Sequence, residues 1–599
     1  MKHRVLLLLI SLVSLISFSV AQAHPAQVAL DNAFFADQMP AGASIYIGIR
    51  TDDAYIDELN GILDKVTTGL SAIAPDMPTN MNIRQLLDQV VMSIGVEGDF
   101  QTAIRPWLGD KVGIGIYFGE QSPENIFIAI DHTNRELAEA FIENVSRGAL
   151  RTSVEGDFTV YTTNNDMAFI AINNDTIYIT SLRELIPFTG NTLHALRNYL
   201  PFQQAVEALP SDSYNVIVIA QTARLAQMGN GNRNDAIVQA VVGDGYTAIG
   251  ATITDGVSLT LDVVQTGLPA QVTDLLNTPV DPAFTQYIPS NATAVIHGTN
   301  LIAAYNALIQ LVSANTGQDL QAQLTQAQAL FGFDVISLLL SGDFATYFTY
   351  KPQGLTDLLN TQLDALNQNT MTSPTLDIAQ FAEFGVIFEI SDPANAQSLV
   401  DQLFNLYGLF GGNNGVTATQ EEIAGHNALI LTVNATPSMS SFDIVIGANE
   451  AVFVIGTRES ATAVLSGTGG FDSNPFYQNS LGYTLPDMTH YWFLDRTVIM
   501  TGTGIFGFLL TPVVGSETTG VTFDVETGVS ATFTPNPTQE AQITRQQEIM
   551  REQSLQGIES MTAFNDVMQG FSQLFDNATV SVSSKDDILF VRAVITFSE

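Results

Sequence analysis

Apolar and polar residues along this chain follow two spacings, that of strands and that of helices. Residues 44–50 alternate as a strand does, and residues 52–70 place apolar side chains three and four positions apart, as an amphipathic helix does. Residues 168–172 and 176–180 are apolar runs separated by Asn-Asn-Asp, a strong hairpin signal. Helical and hairpin segments continue to alternate in both halves of the chain, which predicts an α+β fold.

The order of the landmarks indicates an internal duplication. The segment from Phe35 to Pro40, followed by a strand and Ala54-Tyr55, returns as Phe284 to Pro289, followed by a strand and Ala304-Tyr305. Further pairs recur in the same order: Gly109-Asp110 with Gly342-Asp343, Asp131 and Asn134 with Asp392 and Asn395, Asn174-Asp175 with Asn449-Glu450, Pro201-Phe202 with Pro475-Phe476, and the hairpin 246–264 with 578–597. One such pair has little weight, but an ordered series predicts two copies of one module.

The predicted architecture is therefore two homologous tandem modules, each a curved, mostly antiparallel sheet packed with helices on one face. We place an N-terminal segment at 24–33, the first module at 34–266, a proline-containing linker at 267–282 and the second module at 283–599. The second module contains insertions near 353–378 and 498–575.

Residues 1–23 have the features of a signal peptide. Lys2 and Arg4 precede an apolar core, and Ala21-Gln22-Ala23 offers a cleavage site for signal peptidase. A retained membrane anchor is the alternative, although the core is shorter than the roughly 20 residues that span a bilayer. We therefore expect an exported, extracytoplasmic protein (secreted, periplasmic or on the cell surface) with no transmembrane span after cleavage.

Charge and cysteine content exclude several classes of function. The formal net charge is −40, from 61 acidic and 21 basic residues, which argues against binding to a nucleic-acid backbone. The chain contains no cysteine, so disulfides, thiol catalysis and cysteine-ligated zinc or iron–sulfur sites are all excluded.

A search for catalytic motifs identifies no catalytic residue, and we predict neither a metal nor a cofactor. The seven histidines have no metal-binding spacing, and there is neither His-Glu-x-x-His nor Gly-x-Ser-x-Gly. Gly502, Gly504 and Gly507 match a dinucleotide fingerprint formally, but Pro512 would interrupt the helix that this motif requires. Gly113 and Gly115 lie within a predicted strand and indicate close packing.

Two segments resemble a known family. At residues 106–116, Pro-Trp-Leu-Gly-Asp precedes a strand, and at residues 200–210 a helix that begins with Leu-Pro-Phe ends in Leu-Pro. In these features the chain resembles the domain of unknown function 3352 family of exported bacterial proteins. The second copy departs from the pattern because it lacks the Trp, and Leu200 stands where the family usually has Asp. The resemblance implies an export-associated fold but no chemistry.

The segment 498–575 contains the candidate binding surface. An uncharged apolar stretch is followed by a predicted long helix that is rich in Met and Phe, residues suited to adaptable apolar contacts. The candidate ligand or partner surface comprises Ile505, Phe506, Phe508, Leu509, Leu510, Met561, Phe564 and Met568. A core hairpin or a buried helix is the alternative interpretation of the same residues.

Taken together, these features favour a non-catalytic extracytoplasmic protein that binds or scaffolds an unknown partner at the cell envelope. Two alternatives stay open. The first is a carrier of a lipid or another apolar ligand, which should contain a continuous apolar cavity. The second is an envelope hydrolase without a recognisable motif, which should place a Ser or a carboxylate beside a His in a cleft.

Overall fold

The computed structural model describes most of the chain from Ala33 to Ser598. The described residues are 33–73, 82–93, 96–118, 123–146, 149–163, 167–188, 194–223, 245–254, 257–316, 322, 328–367, 377–410, 415–435, 440–498, 545 and 572–598. The predicted signal peptide and most of the segment 24–33 lie outside them, as does nearly all of the insertion 498–575.

Strands dominate the described part of the chain. In chain order they are β1 (Ile45–Arg50), β2 (Leu108–Phe118), β3 (Pro123–His132), β4 (Leu150–Glu155), β5 (Phe158–Thr163), β6 (Phe169–Ile172), β7 (Thr176–Thr180), β8 (Val216–Gln221), β9 (Tyr246–Thr254), β10 (Ser258–Gln265), β11 (Ala294–Thr299), β12 (Asp343–Tyr350), β13 (Ala382–Glu389), β14 (Val416–Ile423), β15 (His426–Val433), β16 (Phe442–Ala448), β17 (Val452–Thr457), β18 (His490–Asp495), β19 (Phe575–Lys585) and β20 (Ile588–Phe597).

The α-helices lie between the strands along the chain. They are α1 (Asp53–Ile73), α2 (Ile83–Ser93), α3 (Phe100–Ala103), α4 (Arg135–Ser146), α5 (Leu200–Glu207), α6 (Ala270–Thr273), α7 (Leu301–Thr316), α8 (Val335–Leu340), α9 (Pro352–Asn367), α10 (Ile378–Phe381), α11 (Pro393–Phe410), α12 (Arg458–Leu465) and α13 (Pro475–Leu481). Short 3-10 turns at Pro282–Tyr287 and Phe471–Ser473 add to the covering of the sheet.

All the strands belong to one antiparallel sheet. Their order across it is β4-β5-β6-β7-β3-β2-β1-β8-β9-β10-β20-β19-β18-β11-β12-β13-β17-β16-β15-β14. When each half is followed from its outer edge to the centre of the sheet, strands β1–β10 and strands β11–β20 are arranged in the same order. The α+β class and the large antiparallel sheet are thus confirmed.

The two halves of the sheet meet at β10 and β20. Ser258–Gln265 pairs with residues 589–596 over eight consecutive positions. At this junction, Arg592 Nε and Nη2 donate to the carboxylate of Asp262 at 2.7 and 2.9 Å. The sheet is therefore continuous from one half of the chain to the other.

Local sequence signals account for many of the elements. The predicted strand at 176–180 is confirmed as β7, and the hairpin turn before it is fixed by Asn173, whose Oδ1 accepts from the amides of Asp175 and Thr176. Helix starts are fixed in a similar way, because Asn134 and Asp392 cap α4 and α11 by accepting backbone amides. A Cβ on Gly113 would lie 2.6 Å from the carbonyl oxygen of Phe34, so the predicted close packing is present.

The expectation that helices cover one face of the sheet is wrong for the first half. Tyr55 and Leu59 of α1 pack against Ile114 on one face, while Phe202 of α5 packs against Tyr46 on the other. The reason lies in the strands themselves. In β1 the apolar residues point to both faces of the sheet, so both faces need cover.

Candidate functional site

A single row of directly opposed side chains crosses the middle of the sheet. Side chains at one end of the row are buried, and those at the other end are partly exposed to solvent. In antiparallel pairs, opposed residues point to the same face. The row runs through Ile49, Val216, Ala251, Leu261, Ala593, Val580, Trp492 and Ile296. We call the face that carries this row face A and the opposite face face B.

In the first half, face A is covered at β1, β8 and β9, whereas Leu261 of β10 is 39 % exposed. Ile49, Val216 and Ala251 are 2 %, 7 % and 8 % exposed, and they belong to one cluster with Tyr55 of α1 and Leu87 of α2. The amphipathic helices that follow β1 therefore close this face of the sheet.

In the second half, face A exposes large apolar side chains. Ile296 and Trp492 are 42 % and 46 % exposed, and Phe384 and Leu494 are 37 % and 39 % exposed. Neighbouring residues on β11 and β18 point the other way and are buried, as Val295 and Phe493 show at 1 % and 0 %. The exposure is therefore a property of the face and not of loosely packed strands.

These side chains line a cavity of about 640 Å³, which we call the groove. Its volume falls in the range of roughly 300–1,000 Å³ that is usual for ligand pockets. The groove is formed by strands β11, β12, β13, β16, β17, β18 and β19, and its apolar lining includes Ala294, Ile296, Phe348, Phe384, Val386, Ile455, Trp492, Leu494, Ala578 and Val580. Among the described residues that line it, none is charged, and Thr346 and Thr579 are the polar ones.

One ionisable group that is adjacent to this lining in sequence is held in a way that disfavours its charged form. Asp495 follows Leu494, and burial raises the pKa of its carboxyl above the usual value. Its Oδ1 accepts from the amide of Thr497 at 2.5 Å. The guanidinium of Arg496 lies 5.3 Å from the ring centre of Phe476. Near the end of β18, the groove is therefore lined neither by a strongly stabilised anion nor by a cation.

A buried histidine–carboxylate pair lies on face B of the same half. His297 Nε2 and Asp343 Oδ2 are 2.9 Å apart, and the His297 ring stacks on Phe284 with centroids 5.3 Å apart. Asp343 also accepts the backbone amide of Asp281 at 2.7 Å, which ties the chain between the two halves to β12. With His297 1 % exposed, this pair lies in the core and not in a cleft.

The other described ionisable clusters also hold the fold together. Lys351 contacts both Glu383 and Glu459, and burial raises the pKa of Glu383. Within the described part of the chain, no group of three or more His, Asp or Glu side chains is arranged to hold a metal ion.

The residues predicted from the sequence as a binding surface cannot be placed. Ile505, Phe506, Phe508, Leu509, Leu510, Met561, Phe564 and Met568 all lie outside the described residues. The groove was not predicted, because its residues come from seven strands that are far apart in sequence. One signal was available: β18 alternates between Tyr491 and Phe493 on one face and Trp492 and Leu494 on the other, so it has apolar residues for both faces.

No helix in the described ranges combines the length and the apolar character needed to cross a bilayer.

Comparison with known proteins gives a family. A family model described as "Protein of unknown function (DUF3352)" matches residues 78–377, half of the chain. The chain belongs to this family. The resemblance seen at residues 106–116 and 200–210 is thereby confirmed, and DUF3352 carries no description of activity.

Other comparisons add little. No curated protein sequence matches the chain. Among solved structures, crystal form III of TP0453 is similar over 44 % of this chain and 90 % of its own, with 8 % identity and a TM-score of 0.24. Crystal form I of TP0453 is similar over 41 % of this chain and 80 % of its own, with 7 % identity and a TM-score of 0.22. Both scores lie far below those of proteins that share a fold.

Proposed function

We propose that this DUF3352 protein is a non-catalytic, extracytoplasmic protein that binds an uncharged, hydrocarbon-rich ligand, such as a lipid chain, in the groove. The observation that carries the proposal is the exposure of Ile296, Phe384, Trp492 and Leu494 along one cavity. Contiguous exposed apolar surface in a concave site is characteristic of a binding site.

The nature of the lining favours an uncharged occupant. A charged headgroup buried without a partner is strongly disfavoured, and the described lining provides no ion to pair with it. The chain's net charge of −40 adds a general repulsion toward anionic ligands. A neutral ligand with a long hydrocarbon portion incurs neither the cost of burying an unpaired charge nor the electrostatic repulsion.

We further propose that the two halves of the sheet arose by duplication and then diverged in role. The matching strand order supports this, together with the ordered sequence landmarks. In the first half, α1 and α2 cover face A, whereas in the second half the corresponding strands line the groove. The first copy is then a structural partner and the second copy carries the binding site.

The buried pair of His297 and Asp343 does not favour a hydrolase. A general base must reach a substrate, and this pair lies in the core on the face opposite the groove. Its contacts with Asp281 and Phe284 fit a role in fixing the connection between the halves.

The experiment uses the intrinsic fluorescence of the protein. The chain has two tryptophans, of which Trp107 is 5 % exposed and Trp492 lines the groove. In a Trp107→Phe background, dibrominated monoolein, whose bromines quench tryptophan at short range, should quench Trp492 in a saturable manner. Ile296→Glu should abolish the saturable quenching because it places a carboxylate among the apolar side chains.

The matched control is Val154→Glu, which alters an exposed apolar residue at 75 % exposure on the edge strand β4 and should leave quenching unchanged. Failure of the parent protein to be quenched would refute ligand binding in the groove. If the parent protein is quenched, mass spectrometry of an organic extract of the purified protein would identify the natural ligand. An apolar molecule present in stoichiometric amount is expected, and an empty extract from folded, quenchable protein would mean that the ligand is lost during purification.

A further inference from the structure

The centre of the sheet has an unusual composition on face B. Where β9 and β10 meet β19 and β20, the residues that point to face B are mostly hydroxyl-bearing or amide side chains. Thr252, Ser258, Thr260 and Asn577 are 3 %, 1 %, 2 % and 1 % exposed. A core at this depth normally consists of apolar side chains.

Several of these side chains have an oxygen atom with no hydrogen-bond partner within the protein. The atoms concerned are Thr252 Oγ1, Thr254 Oγ1, Ser258 Oγ, Thr260 Oγ1 and Asn577 Oδ1. We call these five residues the seam cluster. Buried polar side chains in folded proteins nearly always have a partner, so five unpartnered oxygens in one place require an explanation.

The strand register places the seam cluster in two adjacent rows. Thr252 is directly opposite Thr260, and Thr254 is directly opposite Ser258. Ser258 in turn is opposite Thr596, which is opposite Asn577 on β19. Opposed Cβ atoms lie about 4.5–5.5 Å apart and diagonal neighbours lie within about 7–8 Å. The oxygens are thus close enough for small molecules to bridge them, and they span the junction of the two halves.

The hydrogen bonds around the seam cluster leave its five oxygen atoms without a partner. Asp262, in the next row, accepts from Arg592, from Ser211 Oγ at 3.1 Å and from the Tyr214 hydroxyl at 2.8 Å. Thr596 Oγ1 accepts from the Asn577 amide at 3.2 Å, and Asn577 Nδ2 donates to the carbonyl of Phe476 at 3.4 Å.

We propose that the seam cluster is a binding site for internal water molecules that bridge β9, β10, β20 and β19 across the junction. Water supplies both donors and acceptors, and each buried molecule typically makes about three hydrogen bonds to otherwise unsatisfied polar groups. Hydroxyl and amide oxygens at cross-strand spacing meet that requirement. A metal cation is disfavoured, because the cluster contains no carboxylate and the guanidinium of Arg592 occupies the next row.

The test combines a structure with an isosteric substitution. A high-resolution crystal structure should contain ordered solvent within about 2.7–3.2 Å of Thr260 Oγ1 and of Ser258 Oγ or Thr252 Oγ1. In the intact protein, Thr260→Val should lower the Tm by about 1 °C, since it removes one hydrogen bond to the bound water while keeping the side-chain volume. The control Thr152→Val, on the exposed edge strand β4, should leave the Tm unchanged.

Two results would overturn the proposal. If Thr260 Oγ1 is in dry contact with carbon atoms, the crystal structure contains no solvent there and Thr260→Val raises the Tm by removing an unpaired polar group. If crystals grown in rubidium chloride give an anomalous signal at the cluster, the occupant is a monovalent cation and not water.

Discussion

The ion pair of Arg592 with Asp262 provides the sharpest test of the continuous sheet. Asp262 lies in the first half of the chain and is 0 % exposed, while the Arg592 side chain in the last strand is 12 % exposed. Arg592→Met would keep much of the apolar stem and remove the guanidinium, which leaves the Asp262 carboxylate buried with only Ser211 and Tyr214 as donors.

The expected magnitude follows from this burial. Removing one partner of a buried ion pair costs about 3–5 kcal/mol, because the remaining charge is uncompensated. The reference variant is Arg84→Met, which breaks the pair of Arg84 and Asp57, whose side chains are 42 % and 66 % exposed. A pair as exposed as that contributes about 0–1 kcal/mol. The two variants therefore differ in burial and not in the chemistry of the pair.

Urea unfolding, followed separately at each tryptophan, is the assay. Trp107 reports on the first half and Trp492 on the second, so Trp107→Phe and Trp492→Phe backgrounds isolate the two signals. We expect Arg592→Met to lower the midpoint of both transitions, since β10 and β20 belong to one sheet. The double variant Asp262→Asn, Arg592→Met should recover much of the loss, because it removes the unpaired charge.

Two outcomes would refute the reasoning. A loss in Arg592→Met no larger than that in Arg84→Met would mean that Asp262 is not effectively buried. A shift confined to the Trp492 signal would mean that the halves unfold independently despite their shared strands.

Three further predictions concern packing and pH. Phe493→Ala should lower the free energy of unfolding by about 3–5 kcal/mol, because its ring is fully buried against Phe471 on face B. Trp492→Ala, which changes the adjacent residue on face A, should cause a clearly smaller loss in the same urea titration. Gly250→Ala should destabilise the folded protein by about 1–3 kcal/mol, since the added Cβ would clash with the Tyr214 ring. Gly408→Ala, within α11, should stabilise the protein by about 0.5–1 kcal/mol, because no atom outside the helix lies within 4 Å of the added Cβ. Burial and the neighbouring His297 lower the pKa of His490. The stability that neutral His490 contributes is therefore fully present above the unfolded-state pKa of about 6.5 and is lost as the pH falls below it. His490→Asn should reduce the change of Tm between about pH 7 and pH 5, and a change equal to that of the parent would contradict the assignment.

Much of the fold could be predicted from the sequence because local signals and long-range order agree. The turn at Asn173 and the helix caps at Asn134 and Asp392 are local chemistry, and the turn leads to the predicted hairpin. Which strands lie side by side is not local information. The pairing of β10 with β20 joins residues more than three hundred positions apart, and neither strand differs in pattern from an ordinary hairpin strand.

The groove could not be predicted for a related reason. The strand containing Val295 and Ile296 is apolar toward both faces, and so is β1, yet face A is covered around β1 and exposed around this strand. Coverage depends on where helices from other parts of the chain lie, and an apolar strand gives no information about that. The sequence directed attention to residues 505–510 and 561–568, which lie outside the described structure and whose role stays a prediction.

Joining two modules through their last strands also solves a problem that each module would have alone. A ten-strand sheet that ended at β10 or β20 would expose a long, regular edge with unpaired amide and carbonyl groups, which favours association with other chains. Pairing these two strands removes both edges at once and leaves β4 and β14 at the borders of the sheet. Those remaining edges carry exposed polar residues such as Arg151, Thr152, Gln420 and Glu421, which discourage further pairing. The junction thus accounts for a continuous sheet of this length whose two central edge strands are both paired.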